Sequence, residues 1–286
     1  MKFAWIQKHR QEFPLRLMGK ALSVSPSGYY AWTKRPASLR QQRQTELLEE
    51  IRQVQQDSRG TYGSPRIHRD LLEKNIEVCV NTVAKLMQKA GIAARQLRRF
   101  KVQTTDSTHE HPIAANLLEQ DFTADLPNQR WCCDVTYVPT AEGFLYLAVV
   151  MDLFSRRIVG WSMADHLRAE LCTAALAMAL LRRKPQAGLL HHSDRGVQYA
   201  CGWYRQILED HQITCSMSRK GNCFDNAAME SFFATLKTEL IHRHQYATRR
   251  AAVASIFEYI EVFYNRQRKH STLGYQSPEA FEAGLN

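Results

Sequence analysis

Three carboxylates stand where the chain could bring them to one point. Asp134 lies in Trp131-Cys-Cys-Asp-Val-Thr-Tyr137 and Asp194 in Leu190-His-His-Ser-Asp-Arg-Gly196, each at the polar end of an apolar, strand-like run. Glu230 follows Asp194 after 35 intervening residues and belongs to a helical pattern. Mg²⁺ prefers hard oxygen ligands, which a few carboxylates supply and a cysteine–histidine cage does not. These three acids are therefore our candidates for a metal site.

Two further polar residues share the predicted helix with Glu230. Asn226 lies four residues before it and Lys237 seven residues after it, so all three share one helix face. That face would offer a metal ligand together with a cation for a phosphate. The alternatives are an ordinary solvent-facing acid for Glu230 and turn capping at strand ends for the two aspartates.

Several neighbouring residues have a structural interpretation beside a chemical one. Asp152 could approach the metals, but capping a turn is more typical of an aspartate at a strand end. His191 and His192 could touch a leaving group, although packed or hydrogen-bonded side chains are favoured. Asp225 is expected to serve the helix N-terminus, with Asn222 as a possible N-cap.

The elements that must position the acids follow an α/β order. Strand-like runs at Val135–Val138, Phe144–Met151 and Arg156–Met163 have short connections, which predicts an antiparallel meander. A strong helix follows at 167–183. The order continues with a strand at 188–192, a helix at 203–210, a strand at 213–217, the Glu230 helix and a helical stretch at 247–268. This order predicts a mixed five-stranded sheet flanked by helices.

Short helices precede the sheet. Patterns at 3–12 and 15–22, followed by Ser25 as N-cap and Pro26 at the first helical position, predict a helix-turn-helix arrangement. A purely structural hairpin is an equal alternative. Helices at 45–58, 64–74 and 80–91 predict a second such unit. We therefore predict domains at 1–44 and 45–101, a polar linker at 102–128, and a core with a C-terminal helical extension at 129–286.

The basic charge of the chain is concentrated in its N-terminal part. The net charge is +10, and residues 1–120 hold 20 Lys/Arg against 11 Asp/Glu, compared with 18 against 17 afterwards. This excess favours a polyanionic partner, with a solvated basic surface as the alternative. The candidate DNA contacts are Arg66, Arg69, Lys85, Lys89, Arg98, Arg99, Arg219, Lys220, Asn226 and Lys237.

The cysteines and the hydropathy pattern favour a cytoplasmic protein. Seven cysteines are scattered without a CxxC pair, which suggests neither a disulfide framework nor a zinc cluster. No apolar run approaches the roughly 18 residues of a membrane helix, and no secretory segment is recognisable. We therefore expect no membrane partner.

Several long motifs occur in a fixed order, and together they are highly specific. They are Trp131-x-x-Asp-Val-Thr-Tyr137, Asp152-Leu-Phe-Ser-Arg-Arg-Ile-Val-Gly-Trp161, His192-Ser-Asp-Arg-Gly-x-Gln-Tyr199, Gly221-Asn-Cys-Phe-Asp-Asn-Ala-x-x-Glu-Ser-Phe-Phe-x-x-Leu-Lys-x-Glu239 and Tyr264-Asn-x-x-Arg-x-x-Ser-Thr-Leu-Gly-Tyr-x-Ser-Pro278. From about Thr45 onwards the chain resembles the retroviral integrase-like transposases of bacterial insertion sequences. It is similar to the downstream-frame product of the group whose transposase is encoded in two overlapping frames.

This resemblance implies an RNase H-like core in which Asp134, Asp194 and Glu230 form a catalytic, metal-binding Asp-Asp-Glu triad. It also implies that Lys237 approaches the DNA end. The expected activity is metal-dependent cleavage and strand transfer at the ends of a mobile element, with two Mg²⁺ ions, or Mn²⁺ in their place. The expected partners are the terminal inverted repeats, target DNA and further copies of this chain.

Two other functions remain open at this point. The chain could be a DNA-binding or regulatory partner that is catalytic only when fused to the upstream-frame product. The absence of a long leucine-heptad segment is consistent with that dependence, because dimerisation would have to come from elsewhere. A related nuclease, such as an RNA–DNA hybrid hydrolase, is disfavoured by the basic helix-turn-helix units.

Overall fold

The computed structural model describes residues 1–94, 111–220 and 222–285. Its larger part is built on a mixed sheet of five strands in the order β3-β2-β1-β4-β5. The strands are β1 (Arg130–Thr140), β2 (Gly143–Asp152), β3 (Ile158–Ala164), β4 (Leu190–Ser193) and β5 (Thr214–Met217). The first three form the predicted antiparallel meander, while β4 runs parallel to β1 and β5 parallel to β4. The predicted mixed five-stranded sheet is confirmed.

Helices cover both faces of this sheet, because alternate residues of the central strand β1 are apolar on both sides. The helices are α7 (Ala169–Arg183), α8 (Val197–Ala200), α9 (Gly202–Asp210), α10 (Ala227–Glu239), α11 (Arg249–Glu258) and α12 (Pro278–Ala283). Cys132 packs into the core formed with α10 and α11, whereas Cys133 packs into the core formed with α7 and α9. By the same alternation, Asp134 lies on the α10 side.

Two small helical clusters precede the sheet, as predicted. They contain α1 (Lys2–Lys8), α2 (Leu15–Leu22), α3 (Pro26–Lys34), α4 (Leu39–Asp57), α5 (Ser64–Glu73) and α6 (Val80–Lys89). The Ser25 hydroxyl accepts from the Gly28 amide at 3.0 Å, which confirms the predicted N-cap. Among the described helices, none has the length and apolar character needed to cross a membrane.

The predicted start of α4 at Thr45 is wrong by six residues. The helix begins at Leu39, where Ser38 and Gln41 form a reciprocal capping box. After the exposed Leu39 its first turns are polar on every side, so hydrophobic periodicity could not reveal them. The helix therefore continues across residue 44, where we predict a domain boundary. That boundary stays a prediction.

The described part of the predicted linker packs against the core. The Ser216 hydroxyl in β5 accepts from the amides of Leu117 and Leu118, and Leu118 is buried. The amide of Met217 donates to the Ala115 carbonyl at 3.3 Å. Residues 115–118 therefore extend the sheet region beside β5.

The second helical cluster contacts the C-terminal segment of the core. Arg59 pairs with Glu258, and its guanidinium lies 4.5 Å from the centre of the Phe263 ring. Lys269 pairs with Asp70 of α5 at 2.7 Å, and its amide donates to the Tyr62 hydroxyl at 2.8 Å. These contacts join the cluster to the region that follows α11. That region continues from α11 as a π-helix, Tyr259–Tyr264, in place of the uniform helix predicted to residue 268.

His270 lies in this junction and should make the stability of the chain depend on pH. Burial, together with the charges of Arg268, Arg66 and Arg156, lowers its pKa to about 2. The unfolded chain therefore takes up a proton near pH 6.5 while the folded chain does not. This lowers the free energy of unfolding as the pH falls, by about 2 kcal/mol between pH 7 and pH 5.

Denaturant unfolding of His270→Gln at the two pH values tests this expectation. The variant should lose about 2 kcal/mol less than the wild-type chain over the same interval. His211→Gln, which replaces an exposed histidine after α9, is the matched control and should behave like the wild type. Equal pH dependence for His270→Gln and the wild-type chain would contradict the assignment of a neutral, half-buried His270.

Candidate active site

Asp134 occupies the middle of the sheet. It lies on β1, which pairs with β2 on one side and with β4 on the other. Its side chain is half-buried, and its Oδ1 accepts from the Val135 amide at 2.7 Å. A carboxylate held in a central strand has a fixed position, which suits a metal ligand or a catalytic group.

Asp194 follows directly after β4, the parallel neighbour of β1. The pairing aligns Trp131 with His191 and Cys132 with His192, so continuing this register by two residues places Asp194 beside Asp134, where β4 ends. The Oδ1 atom of Asp194 accepts from the Gly196 amide at 2.9 Å. The predicted position at a strand end is confirmed for Asp194.

Glu230 lies in the first turn of α10 with an exposed side chain. Lys237 lies seven residues later on the same helix and is half-buried, with its Nζ 5.1 Å from the centre of the Tyr137 ring. Burial lowers the pKa of Lys237, and the charge of Asp134 opposes that shift. The helix therefore brings an acid and a cation towards β1.

The charges of these residues act on Asp134. Burial raises the pKa of its carboxyl well above the usual range, and Asp194 and then Glu230 raise it further. The Val135 amide and Lys237 act in the opposite direction. Asp134 within β1, Asp194 after β4 and Glu230 on α10 thus interact electrostatically. The predicted strand end at Asp134 is wrong, because β1 begins at Arg130 and continues through Asp134 to Thr140.

The donor set fits a hard divalent cation. Repulsion among acids at a half-buried carboxyl would be relieved by positive charge, and carboxylate oxygens are preferred ligands of Mg²⁺. Beside them, the Oδ1 atom of Asn226 is buried without a hydrogen-bond partner in the part of the chain that is described. Within the described residues, no three His, Cys, Asp or Glu side chains are close enough to form a finished metal site. The carboxylates would have to move together to share one.

The two histidines before Asp194 are packed in the interior, as favoured. His191 lies within hydrogen-bonding distance of the Tyr204 hydroxyl at 2.8 Å, and His192 of the Ser216 hydroxyl at 2.9 Å. Burial lowers the pKa of His191 to about 3 and that of His192 to about 4. Both rings are therefore neutral at neutral pH and are poor candidates for protonating a leaving group.

Asp152 has the capping role that its position favours. The buried carboxylate accepts from the amides of Asn128 and Phe154 at 2.8 and 3.0 Å. It also pairs with Arg183 at the end of α7 at 3.2 Å. Asp152 therefore fastens the turn after β2.

The expected role of Asp225 at the N-terminus of the Glu230 helix is wrong. Its buried carboxylate pairs with the Arg219 guanidinium at 2.8 Å and accepts from the Gln120 amide at 2.9 Å. The bond from Arg219 holds the pKa of Asp225 well below its usual range. The N-cap of this segment is Asn222, as predicted, whose side chain accepts from the Phe224 amide. The partners of Asp225 are thus an arginine six residues earlier and a glutamine 105 residues earlier, in place of the helix amides.

Asn226 lies in a 3-10 turn, Cys223–Asn226, just before α10. Only 6% of its surface is exposed, and its Nδ2 donates to the Cys133 carbonyl at 3.4 Å. The side chain thus faces β1, beside Asp134, and away from solvent. Its predicted DNA contact stays a prediction.

The other candidate DNA contacts fall into three groups. Lys85, Lys89 and Lys220 are exposed, and Arg219 is exposed although it is paired with Asp225. Arg66 and Arg69 face the junction with the core, where their guanidinium groups lie over the rings of Tyr62 and Tyr275. Arg98 and Arg99 lie outside the described residues.

Sequence reasoning missed three participants in this region. Gln120 holds Asp225, Tyr137 lies beneath Lys237, and Cys133 contacts His191. Tyr137 and Cys133 lie inside the Asp134 motif, so proximity in the sequence could have pointed to them. Gln120 is 105 residues from its partner and carries no local signal.

Comparisons with known families cover most of the chain. An integrase core domain model matches residues 124–223, and a second integrase core domain model matches residues 211–278. An HTH-like domain model matches residues 41–100. The integrase core models coincide with the sheet, and the HTH-like model coincides with the second helical cluster.

Curated relatives span nearly the whole chain. "Transposase InsF for insertion sequence IS3A" of Escherichia coli (strain K12) is 43% identical over 284 residues, covering 99% of this chain and 98% of the relative. "Insertion element IS600 uncharacterized 31 kDa protein" of Shigella sonnei is 46% identical over 264 residues, covering 92% and 97%. Among solved structures, the HTLV-2 integrase catalytic core domain in complex with magnesium (trimeric form) is 16% identical, with a TM-score of 0.44 over 56% of this chain and 99% of that one.

Proposed function

Because the chain belongs to the IS3 family of insertion-sequence transposases, which carry an integrase core, we propose that it cleaves and joins DNA at the ends of its element through Asp134, Asp194 and Glu230. The observation that carries this proposal is the electrostatic environment of Asp134. Its half-buried carboxyl is affected by both other acids and by Lys237. These four residues come from three separate elements, so their convergence is not a consequence of local sequence.

The three acids would hold two Mg²⁺ ions, with Mn²⁺ as an alternative. The bound ions would supply stabilisation of the negative charge that builds on the phosphorus oxygens and on the leaving oxygen. Asp134 would contribute a ligand from β1 and Asp194 one from the residue after β4, and Glu230 adds the reach of an exposed helical side chain. Water is the first attacking group, and the freed 3′ hydroxyl is the second.

Lys237 would hold a phosphate of the DNA end next to the acids. Tyr137 beneath its ammonium group and partial burial fix its position. The exposed lysines of α6, Lys85 and Lys89, would contact the DNA backbone without reading its sequence. The partners are the terminal inverted repeats, target DNA and further copies of the chain. Fusion to the upstream-frame product would add a further DNA-binding or dimerising segment. The reaction would take place in the cytoplasm of a bacterium.

A cleavage assay on DNA carrying the inverted repeats that flank the gene tests this function. With Mg²⁺ or Mn²⁺, the chain should release nicked ends and join them to a second duplex. A chelator should stop both reactions but leave the gel shift of the DNA in place. The same assay with added upstream-frame product separates a chain that is active alone from one that needs this partner. Cleavage that persists in the chelator would contradict the metal assignment.

Gly196→Ala should impair this activity by displacing Asp194. An added Cβ would lie 3.0 Å from the Asp194 Oδ1 and 2.8 Å from the Gln198 Oε1. The backbone of Gly196, with φ −60° and ψ 144°, is one that alanine adopts freely. The side chains would therefore move, and we expect cleavage to fall by about tenfold with little change in thermal stability.

Gly202→Ala is the matched control for this substitution. Gly202 begins α9, and its added Cβ would meet no atom within 4 Å. Its cleavage rate should equal that of the wild-type chain. Equal rates for Gly196→Ala and Gly202→Ala would show that the position of Asp194 does not depend on Gly196.

A further inference from the structure

Cys133 lies between the three elements that carry the acids. It precedes Asp134 on β1 and is buried on the α7 side of the sheet, opposite to the side that Asp134 faces. Its thiol and its carbonyl oxygen each contact one of the other two elements. Cys133 is not among the residues proposed to bind the metal or the DNA.

The thiol connects β1 to β4. The Cys133 Sγ lies 2.9 Å from the Nε2 of His191, and the Tyr204 hydroxyl lies 2.8 Å from the same nitrogen. Either the thiol or the phenol can donate to this nitrogen, which has one lone pair when the ring is neutral. All three side chains are almost completely buried, so water does not compete for these bonds. His191 lies three residues before Asp194 on the parallel strand.

The carbonyl oxygen connects β1 to the segment of Glu230. It accepts from the Nδ2 of Asn226, which immediately precedes α10. Glu230 follows four residues later, in the first turn of that helix. Movement of either bond would shift one acid relative to Asp134.

We propose that Cys133, together with His191, Tyr204 and Asn226, is a positioning network that sets the distances among Asp134, Asp194 and Glu230. Cys133, His191 and Tyr204 act on the acids through the backbone and are assigned to neither DNA nor metal. This inference rests on the proposed function, since it assigns the network a purpose only if the three acids bind one metal site. Groups that orient metal ligands commonly change metal affinity or activity by about tenfold to a hundredfold when they are replaced.

Cys133→Ala tests the network, with Cys132→Ala as the matched control. Cys132 is the adjacent residue, is equally buried, and packs on the opposite face of β1. Both substitutions remove one buried thiol from the same strand, so their packing costs should be similar. Cys133→Ser restores a donor at the tested position and should rescue the function.

The first measurement is calorimetric titration of the full chain with Mn²⁺ alone. Cys133→Ala should bind Mn²⁺ about tenfold more weakly than the wild type, whereas Cys133→Ser and Cys132→Ala should remain within about threefold. The second measurement is the Mg²⁺ concentration that gives half-maximal cleavage, which should rise in parallel. A general loss of folded protein would lower the amplitude without changing either metal dependence.

Equal Mn²⁺ affinity for Cys133→Ala and Cys132→Ala would overturn the positioning network while leaving the proposed function intact. If Cys133→Ala fails to fold, Asn226→Ala replaces it, and unchanged metal dependence in that variant would have the same meaning. A wild-type chain that binds no Mn²⁺ and cleaves DNA in a chelator would overturn the proposed function and this inference together.

Discussion

Alanine in place of Asp134, Asp194 or Glu230 is expected to reduce DNA-end cleavage by about a thousandfold or more. This loss corresponds to about 4 kcal/mol of transition-state stabilisation. Each acid comes from a different element, so neither of the remaining two can take over its position. Binding of the DNA end should persist, because the exposed lysines of the helical cluster are unchanged.

Asp165→Ala is the matched control for these three variants. Asp165 is an exposed acid just after β3, and it should be dispensable for cleavage. Cleavage rates and gel shifts on the same DNA separate loss of chemistry from loss of binding. Strand transfer with Mg²⁺ in any one of the three variants would remove that residue from the catalytic set.

Glu239→Ala is expected to lower the free energy of unfolding by about 3–5 kcal/mol. Glu239 ends α10 and pairs with Arg268 at 2.7 Å, with both side chains buried. It also accepts from the Tyr259 hydroxyl at 2.8 Å. Its removal leaves a buried guanidinium without its counter-charge, which costs more than the pair itself contributes.

A double variant separates the cost of leaving the Arg268 guanidinium unpaired from the stability that the ion pair itself contributes. Glu239→Leu combined with Arg268→Met replaces the pair by apolar side chains and should recover most of the lost stability. The Tyr259 hydroxyl and the Nε2 of His270, which lies 3.4 Å from the Arg268 guanidinium, then each lose a partner. Denaturant unfolding of the single and double variants measures both values. A single variant that costs less than about 1 kcal/mol would show that water reaches Arg268 when Glu239 is removed.

Local patterns in the sequence predict the elements of the sheet well. Alternating apolar residues and short turns indicate β1, β2 and β3, and their antiparallel pairing follows from the short connections. The parallel pairing of β4 with β1 has no such local signal. Asp134 and Asp194 lie next to each other because of that pairing. Local patterns do not predict this proximity, and in the sequence only the resemblance of the motifs indicates it.

Side chains with more than one available partner could not be assigned from the sequence alone. The expected role of Asp225 at a helix N-terminus rests on local capping, but its buried carboxylate pairs with Arg219, six residues earlier, and accepts from Gln120, 105 residues earlier. Arg66 and Arg69 belong to a basic helix that suits phosphate contact, and their guanidinium groups lie over the rings of Tyr62 and Tyr275. Their predicted DNA contacts stay predictions. A charge count describes the available side chains but cannot show which of them a neighbouring domain covers.

A crystal structure of the chain with its element-end DNA and Mn²⁺ is the most direct test of the assignment of the three acids as metal ligands at the DNA end. Anomalous scattering locates Mn²⁺ independently of any assumption about its ligands. We expect Mn²⁺ bound by the carboxylates of Asp134, Asp194 and Glu230, with a DNA phosphate beside Lys237. Mn²⁺ and the DNA end bound at another place, with these three carboxylates apart, would contradict the proposed active site.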